Sequence, residues 1–302
     1  MRALLLFLAR MEGFKNFALN FKFFRNAASR FVAGETVEDA VRVVRQLNQQ
    51  KILCTLDLLG ENTLTREDAT KAVEEVIEVL DRIQSENLDC TVSVKLTQLG
   101  LDLDKDFALR NLMQIAEHAR EKGNFVRVDM ENSRYTQSTL NIVARTYEQF
   151  GNVGAVIQSA LRRSEQDTMR MLQKGIRIRL VKGAYLEPAS IAFRKKRNTD
   201  ANFVKLMKLL LADESYHAIA THDESIILAT EEYARTRNIL KDRFEFQMLY
   251  GIRRDLQFRL AKDCYRVRVY IPFGRHWYAY FMRRLAERPA NVAFLVRNLF
   301  KE

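Results

Sequence analysis

Short apolar runs recur along this chain with longer amphipathic stretches between them, and that alternation is what most restricts the fold. The runs are ILCTLDL (52–58), TVSVKLT (91–97), FVRVDME (125–131), GAVIQSA (154–160), IRIRLVK (176–182), AIATHD (218–223), FEFQML (244–249) and YRVRVYI (265–271). Val, Ile and Phe recur in them, as strands prefer. The stretch REDATKAVEEVIEVLDRIQSE (66–86) places Ala72, Val73, Val76, Ile77 and Leu80 at helical spacing. DFALRNLMQIAEHAREKG (106–123) does the same and stops on Gly123, as a helix should. Residues 201–212 and 225–239 read alike. Eight strands alternating with helices predict a (β/α)8 barrel, with an open doubly wound sheet as the structural rival. Eight runs without a terminal domain boundary favour closure. The predicted division is an N-terminal helical segment packed on the barrel (1–50) and the barrel itself (51–302).

Composition narrows the class. The chain of 302 residues is 47% hydrophobic and 29% charged, with 11 Gly and 3 Pro, so long disordered linkers are not expected. A net charge of +11 invites an anionic ligand, an anionic membrane surface or nucleic acid. Basic and acidic residues are mixed along most of the sequence, so a solvated basic surface is the favoured reading. The densest basic run, Arg194-Lys195-Lys196-Arg197, is too short for a nucleic-acid arm. Cys54, Cys90 and Cys264 form no CxxC pair and sit in or beside apolar runs, as buried free thiols in a reducing compartment do. The N-terminal MRALLLFLAR is too short to span a bilayer and reads as an amphipathic helix. Phe7, Phe14, Phe17, Phe21, Phe23, Phe24 and Phe31, interleaved with Lys and Arg, suit either a packed helix or contact with a membrane surface.

Barrel active sites collect where strands end. Here Lys95, Asp129, Glu131, Gln158, Ser159, Arg179, Lys182, Thr221, His222, Asp223, Gln247 and Tyr270 fall late in their runs. So many polar groups converging on one rim are better explained by a site than by chance. Local readings compete. Lys95 could simply pair with an acid in the barrel mouth, Arg177 is expected to be structural, and Arg268 could balance Glu245 or Asp57 inside the barrel. His118 and His217 read as ordinary surface or core residues. The pair His222-Asp223 is too little for a metal, and no GxSxG elbow suggests a hydrolytic triad. After the last run, HWYAYFMRRLAER (276–288) on a helix gathers Tyr280, Arg283, Arg284 and Glu287 in an arc of roughly 100°. That face is either a solvated Arg283–Glu287 pair or a forked clamp for a carboxylate. No GxGxxG follows a strand. RLVKGAYLEP (179–188), with Gly183 and Ala184 beside Arg179 and Lys182, is the best segment for an anionic cofactor.

Together the motifs resemble the proline dehydrogenase family. The matching pieces are SVKLTQLG (93–100), RVDMENS (127–133), VIQSALRRS (156–164), RLVKGAY (179–185), ATHD (220–223), FEFQMLYG (244–251), RVYIPFG (268–274) and YFMRRLAE (280–287). They occur in family order over about residues 50–300, each at its strand. The resemblance implies a distorted (β/α)8 TIM-type barrel that holds FAD in its C-terminal mouth and takes a hydride from L-proline. The product would be Δ1-pyrroline-5-carboxylate, in the first step of proline catabolism, with electrons passed to a membrane quinone. It implies that Lys95, Arg283 and Arg284 bind the substrate carboxylate and that Glu287 orients the arginines. Leu249, Tyr270 and Tyr280 would pack on the ring. Asp129 would sit beside the substrate, and Arg179 by the reactive edge of the flavin. Met130, Gln158, Arg179, Lys182, Gly183, Ala184, Thr221, His222 and Gln247 would line FAD.

The resemblance also implies a cytoplasmic protein, peripheral at the inner face of the membrane, with no nucleic-acid partner. A chain of 302 residues leaves no room for a fused aldehyde dehydrogenase, so release of product to a separate enzyme is expected. The bulk of Tyr270 implies preference for proline over hydroxyproline. The rivals are a barrel flavoenzyme with another substrate, such as a folate reductase, and a non-catalytic basic binding module.

Overall fold

In the computed structural model, which describes residues 28–60 and 63–287, the eight runs are eight parallel strands. They are β1 (Leu53–Leu58), β2 (Cys90–Val94), β3 (Val126–Val128), β4 (Val153–Gln158), β5 (Ile178–Val181), β6 (His217–Ala220), β7 (Phe244–Leu249) and β8 (Arg266–Phe273). Each pairs with the next, and β8 pairs with β1, so the sheet closes into a (β/α)8 barrel. Around it run α1 (Val37–Asn48), α2 (Arg66–Ser85), α3 (Lys105–Glu121), α4 (Thr136–Phe150), α5 (Ser164–Leu172), α6 (Lys196–Ala212), α7 (Glu224–Thr236), α8 (Arg254–Lys262) and α9 (Trp277–Glu287). Most predicted strands overran by two or three residues, because the polar ends of the runs are already the loops that shape the mouth.

Local chemistry sets the helix ends. Thr36 and Asp39 form a reciprocal capping box at α1. Thr65, Asp104 and Asp223 accept backbone N–H bonds at the starts of α2, α3 and α7, each contributing about 1 kcal/mol. Gly151 ends α4 in the left-handed region with φ 72°.

Strand alternation sorts the residues into two environments. Cys54 and Leu56 of β1, Val92 and Val94 of β2, Ile178 and Leu180 of β5, and Phe244 and Phe246 of β7 are buried in the apolar layer under the helices. Full burial of each large side chain contributes about 1.5–3 kcal/mol. The intervening residues point into the lumen, and they are polar. Arg179 of β5 reaches Ser93 of β2 and Gln247 of β7 across the barrel. Arg268 of β8 reaches the carbonyl of Cys54 at 2.6 Å. Cys54 and Cys90 are buried free thiols, but Cys264 is exposed, contrary to expectation, because it sits on the turn before β8 with φ 63°.

Residues 1–27, which include most of the aromatic lead, lie outside the described residues. Residues 28–36 cross the C-terminal side of the barrel. Ala33 N donates to Pro272 O at 2.9 Å, and Gly274 N donates to Gly34 O at 3.0 Å. Gly251, with φ 73°, lies so close beneath that a Cβ there would stand 1.7 Å from the Arg30 carbonyl oxygen. Among the described residues, no helix is long and apolar enough to cross a membrane.

Deep in the lumen, Glu245 accepts from Arg268 Nε at 2.8 Å and from Tyr216 Oη at 2.9 Å. Arg268 therefore balances Glu245 rather than Asp57. Burial pushes the Glu245 carboxyl upward, but Arg268, Gln247 and Tyr216 outweigh it and hold the carboxyl below its ordinary value. A depressed folded-state pKa stabilises the fold above the unfolded-state value, and that stability is lost as pH falls through the folded-state value. Glu245→Gln should therefore cost about 3–5 kcal/mol at neutral pH, the usual loss for one partner of a buried pair. In urea titrations the gap between wild type and variant should shrink steadily on acidification; a gap independent of pH would contradict the pairing.

Candidate active site

One carboxylate organises the C-terminal mouth. Asp129 follows β3, and its two oxygens take different donors. Arg179 Nη1 donates to Oδ1 at 2.6 Å, and Tyr270 Oη donates to Oδ2 at 2.6 Å. The Arg179 guanidinium also lies over the Tyr270 ring, 5.3 Å from its centroid. Its remaining nitrogens donate to Gln247 Oε1 and, at 3.1 Å, to Ser93 Oγ. Four strand ends thus fix one guanidinium.

Lys95 enters the same layer from the loop after β2. Its ammonium donates to Asp57 Oδ1 at 2.6 Å and to Tyr270 Oη at 3.5 Å, and lies 3.8 Å from Asp129 Oδ2. The layer holds two carboxylates and two cations, so its formal charge balances. Burial pushes the Tyr270 phenol well above its ordinary value, and Asp129 and Asp57 push it further. Tyr270 is therefore a neutral donor. Burial also raises the Asp57 carboxyl, with Lys95 opposing. Gln247 joins this layer to the one beneath, since its Nε2 donates to Glu245.

The rim beyond is also built. Lys182 after β5 stands between Asp223 (2.7 Å) and Asp200 (2.6 Å), which Lys196 also bridges. The Lys182 hydrogen bond, with Ser225 and Lys196, holds the Asp223 carboxyl far below its ordinary value. Gly183 has φ 110°, and a Cβ there would come within 3.0 Å of Gln158 Oε1. Gln158 Nε2 donates to the Glu131 carbonyl at 2.9 Å, and the Glu131 carboxylate accepts from Thr97 Oγ1 at 2.6 Å. Leu249 N donates to His222 Nε2 at 2.9 Å, so that nitrogen is unprotonated and the ring proton sits on Nδ1. Thr221 Oγ1 accepts from Asp223 N at 3.0 Å. Met130 and Thr221 are buried, and Ala184 is exposed.

Helix α9 follows β8 directly. Trp277 Nε1 donates to Glu35 at 3.0 Å, and Phe281 packs on Phe31 at 6.3 Å. Tyr280 is buried, Arg283 and Arg284 are half-buried, and the Arg284 guanidinium lies 5.1 Å from the Tyr280 ring centroid. Glu287 ends the helix, but its side chain lies outside the described residues.

The structure therefore brings Lys95, Asp129, Arg179, Gln247 and Tyr270 into one bonded cluster. Gln158, Lys182, Gly183, Thr221 and His222 stand around it on neighbouring strand ends. Asp57 and Ser93 are members that the strand-end reading did not single out. Both lie at lumen-facing positions, in register with each other across β1 and β2, so strand parity was the available signal. Among the described residues no cluster of His, Cys, Asp and Glu could hold a metal ion.

Comparison with known proteins agrees with this fold. The family model for proline dehydrogenase matches residues 40–297. Proline dehydrogenase 1 of Bacillus subtilis subsp. natto is 42% identical over 302 residues, covering all of both chains. The proline dehydrogenase of Deinococcus radiodurans is 43% identical over 281 residues, 91% of each. Among solved structures, proline utilization A from Bdellovibrio bacteriovorus, inactivated by N-propargylglycine, superposes with a TM-score of 0.83 at 27% identity. The match covers 92% of this chain and 34% of that one, so this chain spans about a third of that larger protein. The chain belongs to the proline dehydrogenase family.

Proposed function

We propose that this chain oxidises L-proline to Δ1-pyrroline-5-carboxylate with FAD, as the first step of proline catabolism. The observation that carries the reading is the charge-balanced layer of Asp57, Lys95, Asp129 and Arg179, capped by the phenol of Tyr270 and followed in sequence by the paired arginines of α9. A small zwitterion needs fixed cations for its carboxylate and an apolar slot for its ring. Lys95, Arg283 and Arg284 supply the cations, with Glu287 orienting the arginines. Leu249, Tyr270 and Tyr280 supply the slot. Asp129 holds Arg179 and Tyr270 in place beside the substrate, and the Tyr270 phenol keeps its proton as a donor to Asp129.

The donor set around the mouth fits a flavin dinucleotide. Gln158 and Gln247 offer amides, Thr221 a hydroxyl, His222 an imidazole, and Lys182 and Arg179 cations. At Gly183 and Ala184 the backbone can approach a ligand closely, and Met130 adds apolar surface. FAD supplies a hydride acceptor when bound. The chain's own contribution is to orient the substrate carbon and balance the charges around it. Hydride departure from that carbon needs an unprotonated ring nitrogen, because an ammonium has no lone pair to push.

Electrons pass on to a membrane quinone, with the protein cytoplasmic and peripheral at the inner face of the membrane. Exposed Tyr185, Leu186 and Ile191 on the loop after β5, just ahead of the basic run 194–197, and exposed Leu64 on the loop after β1 support that contact. The reading of residues 1–50 as an N-terminal segment packed on the barrel draws support from residues 28–48, the part within the described residues, which pack on it.

Anaerobic addition of L-proline to the FAD-loaded protein should bleach the flavin absorbance. A yellow protein that proline does not bleach would reject the substrate, and one that neither holds FAD nor turns over would reject the enzymatic reading. With Tyr270 packed on the ring in this reading, a 4-hydroxyl would meet its bulk, so kcat/KM should favour proline over 4-hydroxyproline. Discrimination of about tenfold or more is expected for a polar group forced against a packed side chain; faster turnover of hydroxyproline would refute this.

A further inference from the structure

Asp57 closes the floor of the mouth. It is 1% exposed, its Oδ1 accepts from Lys95, and its Oδ2 accepts no hydrogen bond among the described residues. A carboxylate sealed from water in this way is costly unless an opposite charge compensates it. The nearest cation is Lys95, at 2.6 Å. Lys95 in turn sits on a flexible four-carbon stem, in a loop beyond the end of its strand, and would otherwise sample several rotamers. Among the described residues, the groups that meet its ammonium include Asp57 from β1, Tyr270 from β8 and Asp129 from the β3 loop. Arg179 stands behind Asp129, and Arg283 and Arg284 come from α9.

We infer that Asp57 is a positioning residue for substrate recognition: its buried carboxylate holds the Lys95 ammonium charged and aimed at the carboxylate of the amino acid. The inference rests on the reading of Lys95 as a carboxylate ligand. The geometry separates Asp57 from the other acid in the layer. Asp129 already has two strong donors, in Arg179 and Tyr270, and lies beyond hydrogen-bond distance of Lys95. Asp57 has Lys95 as its charged partner. A lysine stripped of that partner, in a buried site, loses its proton more easily. Asp57 therefore acts on both the place and the charge of the ammonium.

The test is binding of cyclopentanecarboxylate, which has the ring and the carboxylate but no titratable nitrogen, to the FAD-loaded protein. Flavin absorbance and the fluorescence of Trp277, the single tryptophan, report the titration. Asp57→Asn should weaken binding about tenfold at neutral pH and further near pH 9.5, where a buried lysine without its carboxylate discharges. Asp57→Glu should restore part of the affinity. In a Lys95→Met background, Asp57→Asn should cost nothing further, because the two residues act as one unit. That double variant carries no uncompensated buried charge, so it remains informative if Asp57→Asn alone folds poorly. A loss of the same factor at both pH values and in both backgrounds would make Asp57 merely structural and overturn the inference. Wild-type binding that Asp57→Asn leaves intact would overturn it while sparing Lys95 as a ligand. Wild-type protein that does not bind the ring carboxylate would overturn both.

Discussion

A carboxylate placed inside a barrel must be met by donors, and Asp129 is met from two sides. Arg179 and Tyr270 each donate at 2.6 Å. The rest of the mouth is arranged around that requirement. Arg179 could not stand in the lumen without Asp129, Ser93 and Gln247, and Lys95 could not without Asp57. Removing one partner of such a set leaves a desolvated charge, which costs far more than the pair contributes. The layer is therefore held as a unit, and a ligand meets charges whose positions are already fixed.

This choice has a cost that the fold absorbs elsewhere. Barrels of this kind usually fill their interior with Val, Ile and Leu. Here the lumen carries Arg127, Arg179, Glu245 and Arg268 as well as the mouth residues, so the apolar core must lie between strands and helices. The strict alternation in FEFQML and RVRVYI follows directly. Gln247 ties the two polar layers together, accepting from Arg179 above and donating to Glu245 below. The mouth is thereby braced from beneath by the pair of Glu245 and Arg268.

The barrel was legible because each strand is short, apolar on one face and bounded by polar ends. Helix α5 was not, since its buried face includes Ser164, Asp167 and Thr168, which give no apolar period. The polar strand ends gather at one mouth, but parity alone left two partners open for Arg268. Register decides between them: Arg268 faces Gln247 on β7, one lumen position above Glu245, whereas Asp57 is taken by Lys95. Ser93 escaped notice because it looks like an ordinary strand residue until the closed sheet shows which way it faces, and Asp57, read only as a possible partner for Arg268, is paired with Lys95 instead. Most of the aromatic lead and the side chain of Glu287 fall outside the described residues, so their roles rest on sequence and family.

The most direct measurement is the rate of anaerobic flavin reduction by L-proline in Asp129→Asn, alongside flavin content and thermal stability. If Asp129 organises the mouth, the rate should fall by about tenfold or more while flavin remains bound, in keeping with the loss of a buried charged hydrogen-bond acceptor. Reduction at the wild-type rate would show that the cluster around Asp129 only fills the barrel, and that the substrate is positioned by other groups.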